Sequence, residues 1–416
     1  MAEDLKKAYH TILTDHFPSV MEITFREGDQ RTTMQYEKVT WEIDGVRKGL
    51  RYGENPGQEA ALYKLVNGNL AVGDVTTIEP GQYLVSDATL LQFGKHPGKI
   101  NLTDADNALN ILRYMMDTPA CAIMKHNNPS GVAIADTITE AYLKADMADR
   151  LAAYGGAIAL NRPVTKDLAK EIVLRYAEVL VAPEYEEGVL EILAQRPNLR
   201  IMKINAIERL AQMATRRFID FKSLIDGGII AQTSYVPSPL TREELKLATT
   251  EFEDKQYRIN REPTDQEYKD MLFGWKVEAG VTSNSVLFVK DGVTVGIGTG
   301  EQDRVGVAQI AVSKAYTKLA DRLAFERHNM PYNMMTDAAQ KAAIDEEVQA
   351  LKGGLIGSAM ISDAFFPFRD GVDVGLVQGV TSVLQAGGSV NDYQSIDACN
   401  EAGATMVFTG QRSFKH

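Results

Sequence analysis

Short apolar runs alternate with helix-period segments along most of this chain. TDADNALNILRYMMD spaces its apolar residues for a helix, with Asp and Thr near its start, and ACAIM after it reads as a strand. DTITEAYLKADMAD then predicts a helix and GGAIAL a strand. PVTKDLAKEIVLRYAE predicts a helix with Pro163 in its first turn, and VLVA another strand. Further on, VLFVKDGVTVGIG predicts a hairpin, Asp291-Gly292 supplying the positive-φ turn, followed by a long helix from Arg304 to Arg322. SAMIS, VTSVL, a helix after Ser389, and ATMVFTG continue the alternation to the C-terminus. A chain of this pattern belongs to the α/β class.

Two regions depart from the pattern. The first 45 or so residues predict an amphipathic helix in MAEDLKKAYHTILTDHF and strands in VMEITFRE and YEKVTWEID. The middle is more helical and polar: PLTREELKLATTEFED and PTDQEYKDMLFGWKVEAG each open with Pro and an acidic first turn. Four segments result: an N-terminal extension (1–48), a first α/β portion (49–205), a helical connecting region (206–282) and a second α/β portion (283–416). Two α/β portions around a helical middle are compatible with a duplicated fold.

Composition narrows the function classes. With 416 residues, 44% hydrophobic and 24% charged, the chain reads as a soluble protein of more than one domain. A net charge of −12 argues against a general nucleic-acid binder, which needs a basic face, but leaves room for a local cluster that takes an anionic small molecule. No apolar run is long enough to span a bilayer, and the N-terminus lacks the apolar core of a signal peptide. Cys121 and Cys399 lie far apart in apolar surroundings, so a reducing cytoplasm is the expected home.

Several stretches place polar residues at strand ends, where open α/β sheets hold ligands. In GLRYGENPGQ, Arg51 precedes a tight turn; its fork of donors suits a phosphate or carboxylate, or it is a surface residue beside a loop. In CAIMKHNNPSGVA, His126 can exchange protons near neutral pH and Lys125 can neutralise an oxyanion. Adjacent strand side chains point to opposite faces, so the two meet only if the backbone turns, which Asn-Asn-Pro-Ser-Gly can supply; a solvated Lys and a loop His is the equally weighted alternative. GIGTGEQDR is not a dinucleotide fingerprint: Glu301 stands where the third glycine is required, which leaves a ring-binding loop or a tight structural turn. ISDAFFPFRDGVD sets three phenylalanines beside Arg369-Asp370, suited to a flat heteroaromatic ligand or to a core corner with an ion pair. The terminal TGQRSFKH is basic, and would serve a site only if tied down.

Together these stretches resemble the transformylase portion of the bifunctional purine-biosynthesis family that makes inosine monophosphate. RYGENPGQ, KHNNPSGVA, YGGAIALNRP, SNSV, GIGTGEQDR, SDAFFPFRD, AGGSVND and RSFKH occur in the family's order from residue 49 to the end. Only about 48 residues precede them, so the resemblance implies a stand-alone transformylase without the cyclohydrolase domain. It implies two related cytidine-deaminase-like α/β/α subdomains and a homodimer with active sites at the subunit interface. The H-x-E and P-C-x-x-C of zinc deaminases are missing, so no zinc site is expected.

The implied reaction moves a formyl group from 10-formyltetrahydrofolate to the 5-amino group of AICAR. By resemblance His126 is the general base, and Lys125 and Asn284 stabilise the oxyanion. Arg51, Tyr52, Phe365, Arg412 and His416 match nucleotide positions, while Asp303, Arg304, Phe368 and Asp370 match folate positions. The family also holds potassium, largely through backbone oxygens. Two residues depart from the family pattern: Gly57 replaces a common His, and Asp303 replaces the Ser before the Arg of the glycine-rich loop. These departures leave two other readings open, the same acceptor with formate and ATP as donor, and a non-catalytic nucleotide-binding relative.

Overall fold

A computed structural model of the chain describes residues 7–43, 45–76 and 83–416. By internal contacts it divides into two compact units, Met1–Pro119 with Gly155–Val236, and Ala120–Tyr154 with Pro237–His416. Both are α/β, as the alternation predicts.

The first unit is built around two sheets. An antiparallel meander pairs Val20–Glu27 with Gln30–Val39, and that strand with Leu62–Gly68. It closes over a thin core of Met34, Leu70 and Val75. In the second sheet Ala157–Leu160, Val179–Ala182 and Arg200–Lys203 run parallel, and Thr89–Gln92 lies antiparallel on the outer edge of the last. The first two strands are buried at every position, which is why they read as continuous apolar runs.

The second unit is built on a larger mixed sheet. The hairpin Ala120–Lys125/Asn128–Ile134 meets the hairpin Val286–Lys290/Val293–Gly298. The outer edge of that second hairpin pairs antiparallel with Ala359–Ser362, which opens a parallel trio completed by Ser382–Gln385 and Thr405–Phe408. Lys246–Leu247 closes the edge, antiparallel to the last strand. The core here includes Phe288, Met360, Phe366, Val383 and Met406, covered by the long helix Arg304–His328.

One order of elements occurs twice along the chain. Lys99–Leu112 precedes the first hairpin, which is followed by helix Ile138–Ala148 and then three strands separated by Lys166–Ile172 and Val189–Leu193. Asp265–Glu278 precedes the second hairpin, and Arg304–His328 follows it, with Ala338–Ala350 inserted before the parallel trio. Both hairpins accept their following helix at very close range. A Cβ on Gly131 would meet the carbonyl of Ala145, and one on Gly298 would meet that of Val307. Gly296 and Gly298 of GIGTGEQDR are thus required where strand and helix backbones touch.

Several local expectations are corrected. PLTREELKLATTEFED is not a helix. A single 3₁₀ turn, Arg242–Glu244, is capped reciprocally by Thr241 and Glu244, and strands Lys246–Leu247 and Thr249–Phe252 follow. The Pro and acidic first turn do open a helical turn, but Lys246–Leu247 is drawn onto a sheet edge by a strand distant in sequence. Glu253 and Asp254, both at positive φ, then turn the chain into Lys255–Arg258. Pro163 lies outside its helix, which starts at Lys166 behind the cap Thr165; Val164 instead bridges to Tyr185. The long helix continues past Arg322 to His328, where Asn329 caps it in a left-handed conformation. Of the expected N-terminal helix, residues 1–6 lie outside the described residues, and the chain leaves helical geometry after Ala8. Among the described residues no helix is long and apolar enough to cross a membrane.

Candidate active site

Lys125 ends the strand Ala120–Lys125 and pairs with Asn128 across a two-residue turn. The turn is His126-Asn127, with φ of 54° and 62°, so the Asn-Asn-Pro-Ser-Gly stretch supplies only its first residue and runs on from Asn128 as the returning strand. Two positive-φ residues match the twist of an antiparallel pair, and asparagine tolerates that conformation well. The consequence is functional. Lys125 and His126 no longer alternate across a sheet, and the imidazole stands exposed at the hairpin tip.

Three anchors hold this tip. Lys125 Nζ donates to the Tyr154 carbonyl at 2.8 Å. Asn128 Oδ1 accepts from Thr282 N at 2.9 Å and from Thr299 Oγ1 at 3.1 Å. Lys415 Nζ donates to the Asn127 carbonyl at 3.0 Å, bringing the C-terminal tail to the turn.

Asn284 sits beside a buried polar network. Its Nδ2 donates to the Gln302 carbonyl at 3.0 Å, and its Oδ1 accepts from Arg304 Nη2 at 3.1 Å. Arg304 is itself buried, and its Nη1 also donates to Ser285 O, Ser362 Oγ and Asp363 Oδ1. Its guanidinium is thereby held beside Asn284 and orients that amide. Asp363 is fully buried and accepts from Ser283 Oγ at 2.6 Å and Ser285 N at 3.1 Å. Behind them Glu278, also fully buried, accepts from Ser285 Oγ at 2.7 Å. Burial, with the nearby Asp363 charge second, pushes the Glu278 carboxyl well above its usual range.

Asp303 caps the long helix, its Oδ1 accepting from Gly306 N at 2.6 Å. Asp and Ser cap helices about equally well, so this departure from the family keeps the local job of the hydroxyl. Gly57 lies in an exposed turn at a φ of 93°, where an imidazole side chain would strain the backbone.

The tail is tied down at several points. Ser413 N donates to the Asp363 carbonyl at 2.8 Å, and Ser283 N to the Lys415 carbonyl at 3.0 Å. Arg412 and His416 project to solvent on either side of Phe414; the guanidinium lies 5.0 Å from that ring and the His416 ring 6.0 Å from it. The FFPF segment divides its labour: Phe366 is in the core, Phe365 is half-buried and Phe368 is exposed. Arg369 pairs with Asp373 and Glu401, not with Asp370. Asp370 is exposed, with one oxygen accepting from Gly371 N, so its carboxylate remains accessible to a ligand.

The second unit therefore connects Lys125, Asn284, Arg304 and the tail through named contacts, with His126 and Asp303 next to them in sequence and Phe365, Phe368 and Asp370 following Asp363. Arg51 and Tyr52 belong to the first unit. Arg51 is buried there, donating to the carbonyls of Tyr9 and Lys95 and stacking 4.5 Å from the Tyr52 ring, while its Nε has no partner among the described residues. Burial pushes both thiols up, Cys399 to about 12, so neither is a nucleophile. Among the described residues no group of three His, Cys, Asp or Glu could hold a metal ion. Sequence reasoning missed Tyr154, Glu278, Ser283 and Asp363 as partners. Tyr154, Ser283 and Asp363 carried a signal, by lying inside the YGGAIALNRP, SNSV and SDAFFPFRD strings.

An α/β protein with a lysine-histidine hairpin tip, an oriented asparagine amide and a docked basic tail is the class that fold and site define. The chain belongs to the AICARFT/IMPCHase bienzyme family, whose model matches residues 5–314. It is 37% identical over 92% of its length to the bifunctional purine biosynthesis protein PurH of Magnetococcus marinus, and 35% identical over 88% to that of Aquifex aeolicus. The PurH protein of Oceanobacillus iheyensis matches 98% of the chain at 32% identity. The chain spans 61%, 59% and 65% of these three relatives.

Proposed function

We propose that the chain transfers a formyl group from 10-formyltetrahydrofolate to the 5-amino group of AICAR, giving formyl-AICAR for purine biosynthesis. The observation that carries this reading is the contact chain of the second unit, in which one hairpin tip presents His126 and Lys125 and a separate buried network fixes Asn284.

The acceptor amine is conjugated with its imidazole and carboxamide and is a weak nucleophile. As its nitrogen attacks the formyl carbon, His126 takes the amine proton, an effect worth about 10²–10⁴ in rate. The carbonyl oxygen becomes an oxyanion, which the Lys125 ammonium and the Asn284 amide stabilise. Losing one such donor costs roughly 3 kcal/mol. Collapse of the tetrahedral intermediate expels the folate N10, which needs a proton that the imidazolium of His126 can return. Arg51, Tyr52, Phe365, Arg412 and His416 hold the nucleotide, and Phe368 and Asp370 meet the folate, with Asp303 and Arg304 acting through loop and amide geometry.

The repeated element order supports two related subdomains of cytidine-deaminase-like topology, the second opening at the helix Asp265–Glu278, ahead of residue 283. A homodimer with interfacial active sites and a cytoplasmic location belong to the same reading. Potassium, held largely through backbone oxygens, belongs to the same reading.

Purified chain with AICAR and 10-formyltetrahydrofolate is expected to form formyl-AICAR. Formation only with formate and ATP would overturn the folate donor. AICAR binding without product from either donor would overturn the catalytic reading.

A further inference from the structure

The long helix Arg304–His328 holds Asn284 through its first residue, and its middle turns reach Lys125 by another route. Lys125 Nζ is fixed by the Tyr154 carbonyl, the C-cap of the four-residue helix Arg150–Ala153. Both residues at the start of that short helix are locked to the long one. The N-cap Asp149, whose Oδ1 accepts from Ala152 N at 3.0 Å, pairs through its other oxygen with Lys318. Arg150 Nε pairs with Asp321 Oδ2 at 3.1 Å, and its guanidinium lies 4.0 Å from the Phe325 ring. Asp321 Oδ1 in turn accepts from Tyr332 N at 3.0 Å.

All four charged side chains are largely buried, with 9% and 5% exposure for Lys318 and Asp149, and 12% and 3% for Arg150 and Asp321. Buried ion pairs give little net stability, because desolvation offsets their attraction, yet they define geometry sharply. Positions 318, 321 and 325 form one stripe of the helix. By helical rise the stripe begins about 21 Å from Arg304.

We propose that Asp149, Arg150, Lys318 and Asp321 are positioning residues for Lys125, making one helix the common ruler for both oxyanion-stabilising groups. The clamp sets the Tyr154 carbonyl, and that carbonyl sets the ammonium. This inference rests on the reading of Lys125 as an oxyanion stabiliser, but its geometric part can be tested separately.

The test uses the full chain with the paired replacement Arg150→Met/Asp321→Asn, which removes both charges together and leaves an acceptor for Tyr332 N. Lys318→Met/Asp149→Asn is the second variant, in case the first does not fold, as judged by circular dichroism. Acylation of Lys125 by an amine-reactive ester, followed by peptide mass mapping, should change at least threefold in rate, while exposed Lys255 stays unchanged. An unchanged Lys125 rate in a folded variant overturns the proposal. For turnover, the clamp variant should lose at least tenfold in kcat with KM for AICAR within twofold, and this loss should vanish in a Lys125→Ala background. Additive losses overturn positioning through Lys125. A changed acylation rate in a wild-type protein that transfers no formyl group would uphold the positioning and reject the catalytic reading.

Discussion

Replacing Glu278 by glutamine keeps the side chain's shape and the acceptor for Ser285 Oγ, and removes one ionisable proton from a fully buried site. In the folded chain the carboxyl is raised well above its ordinary value of 4.5, first by burial and second by the Asp363 charge. Arg304 offsets this only partly, being paired with Asp363. The unfolded chain releases the Glu278 proton as pH rises through about 4.5, whereas the folded chain retains it, so folding takes up one proton above that pH. The Glu278 contribution to stability therefore falls with rising pH, by about 1.4 kcal/mol per unit, until the folded carboxyl also ionises. Glu278→Gln lacks this loss, so the variant-minus-wild-type difference should climb with that slope. Between pH 4.5 and 6 the climb is about 2 kcal/mol. Burying the amide NH₂ adds an offset that does not depend on pH and leaves the slope intact. Trp275, fully buried on the same helix as Glu278, reports the unfolding of this unit by fluorescence once Trp41 is replaced by Phe. Urea titrations in tetramethylammonium buffer, free of small cations that could pair with Glu278, give the midpoints. A difference that stays flat from pH 5 to 7 would show an ionised Glu278 in the folded chain and refute the reasoning.

Two other substitutions probe the site directly. His126→Ala should lower kcat at least tenfold while AICAR affinity, measured by calorimetry, stays within about threefold, because the imidazole stands at an exposed tip and takes a proton only during attack. Near-normal turnover would remove it as the base. Asp303→Ser should leave the unfolding midpoint almost unchanged, whereas Asp303→Ala should cost about 1 kcal/mol through loss of the cap on Gly306 N. Equal losses in the two variants would mean that the charge, rather than the cap, is what the helix needs.

How much of this was legible in advance depends on the reach of each interaction. Asp291-Gly292 announced its hairpin because two residues in sequence decide the turn, and both take positive φ. The helix Asp265–Glu278 announced itself through Pro263 and an acidic first turn, and in the structure Thr264 and Glu267 cap it reciprocally. His126-Asn127 makes the same kind of turn as Asp291-Gly292, but histidine is no turn residue, and the Pro and Gly downstream drew attention away from it. PLTREELK opened with the same Pro and acidic first turn, and there the strand at Thr405–Phe408 won.

The sequence by itself determined the alternation of helices and strands, most of their caps and turns, and the residue types at the site. Each of those rests on side chains and backbone within a few positions of one another. Only the tertiary structure decided that Arg304 serves Asn284, that Asp363 is the centre of the buried network, and that the tail reaches the hairpin tip. Those links join residues 59 apart for Arg304 and Asp363 and 288 apart for Lys415 and Asn127, and no local preference encodes them. The first forms because a buried charge must find partners wherever the folded chain brings them, and the second because the tail docks at the turn.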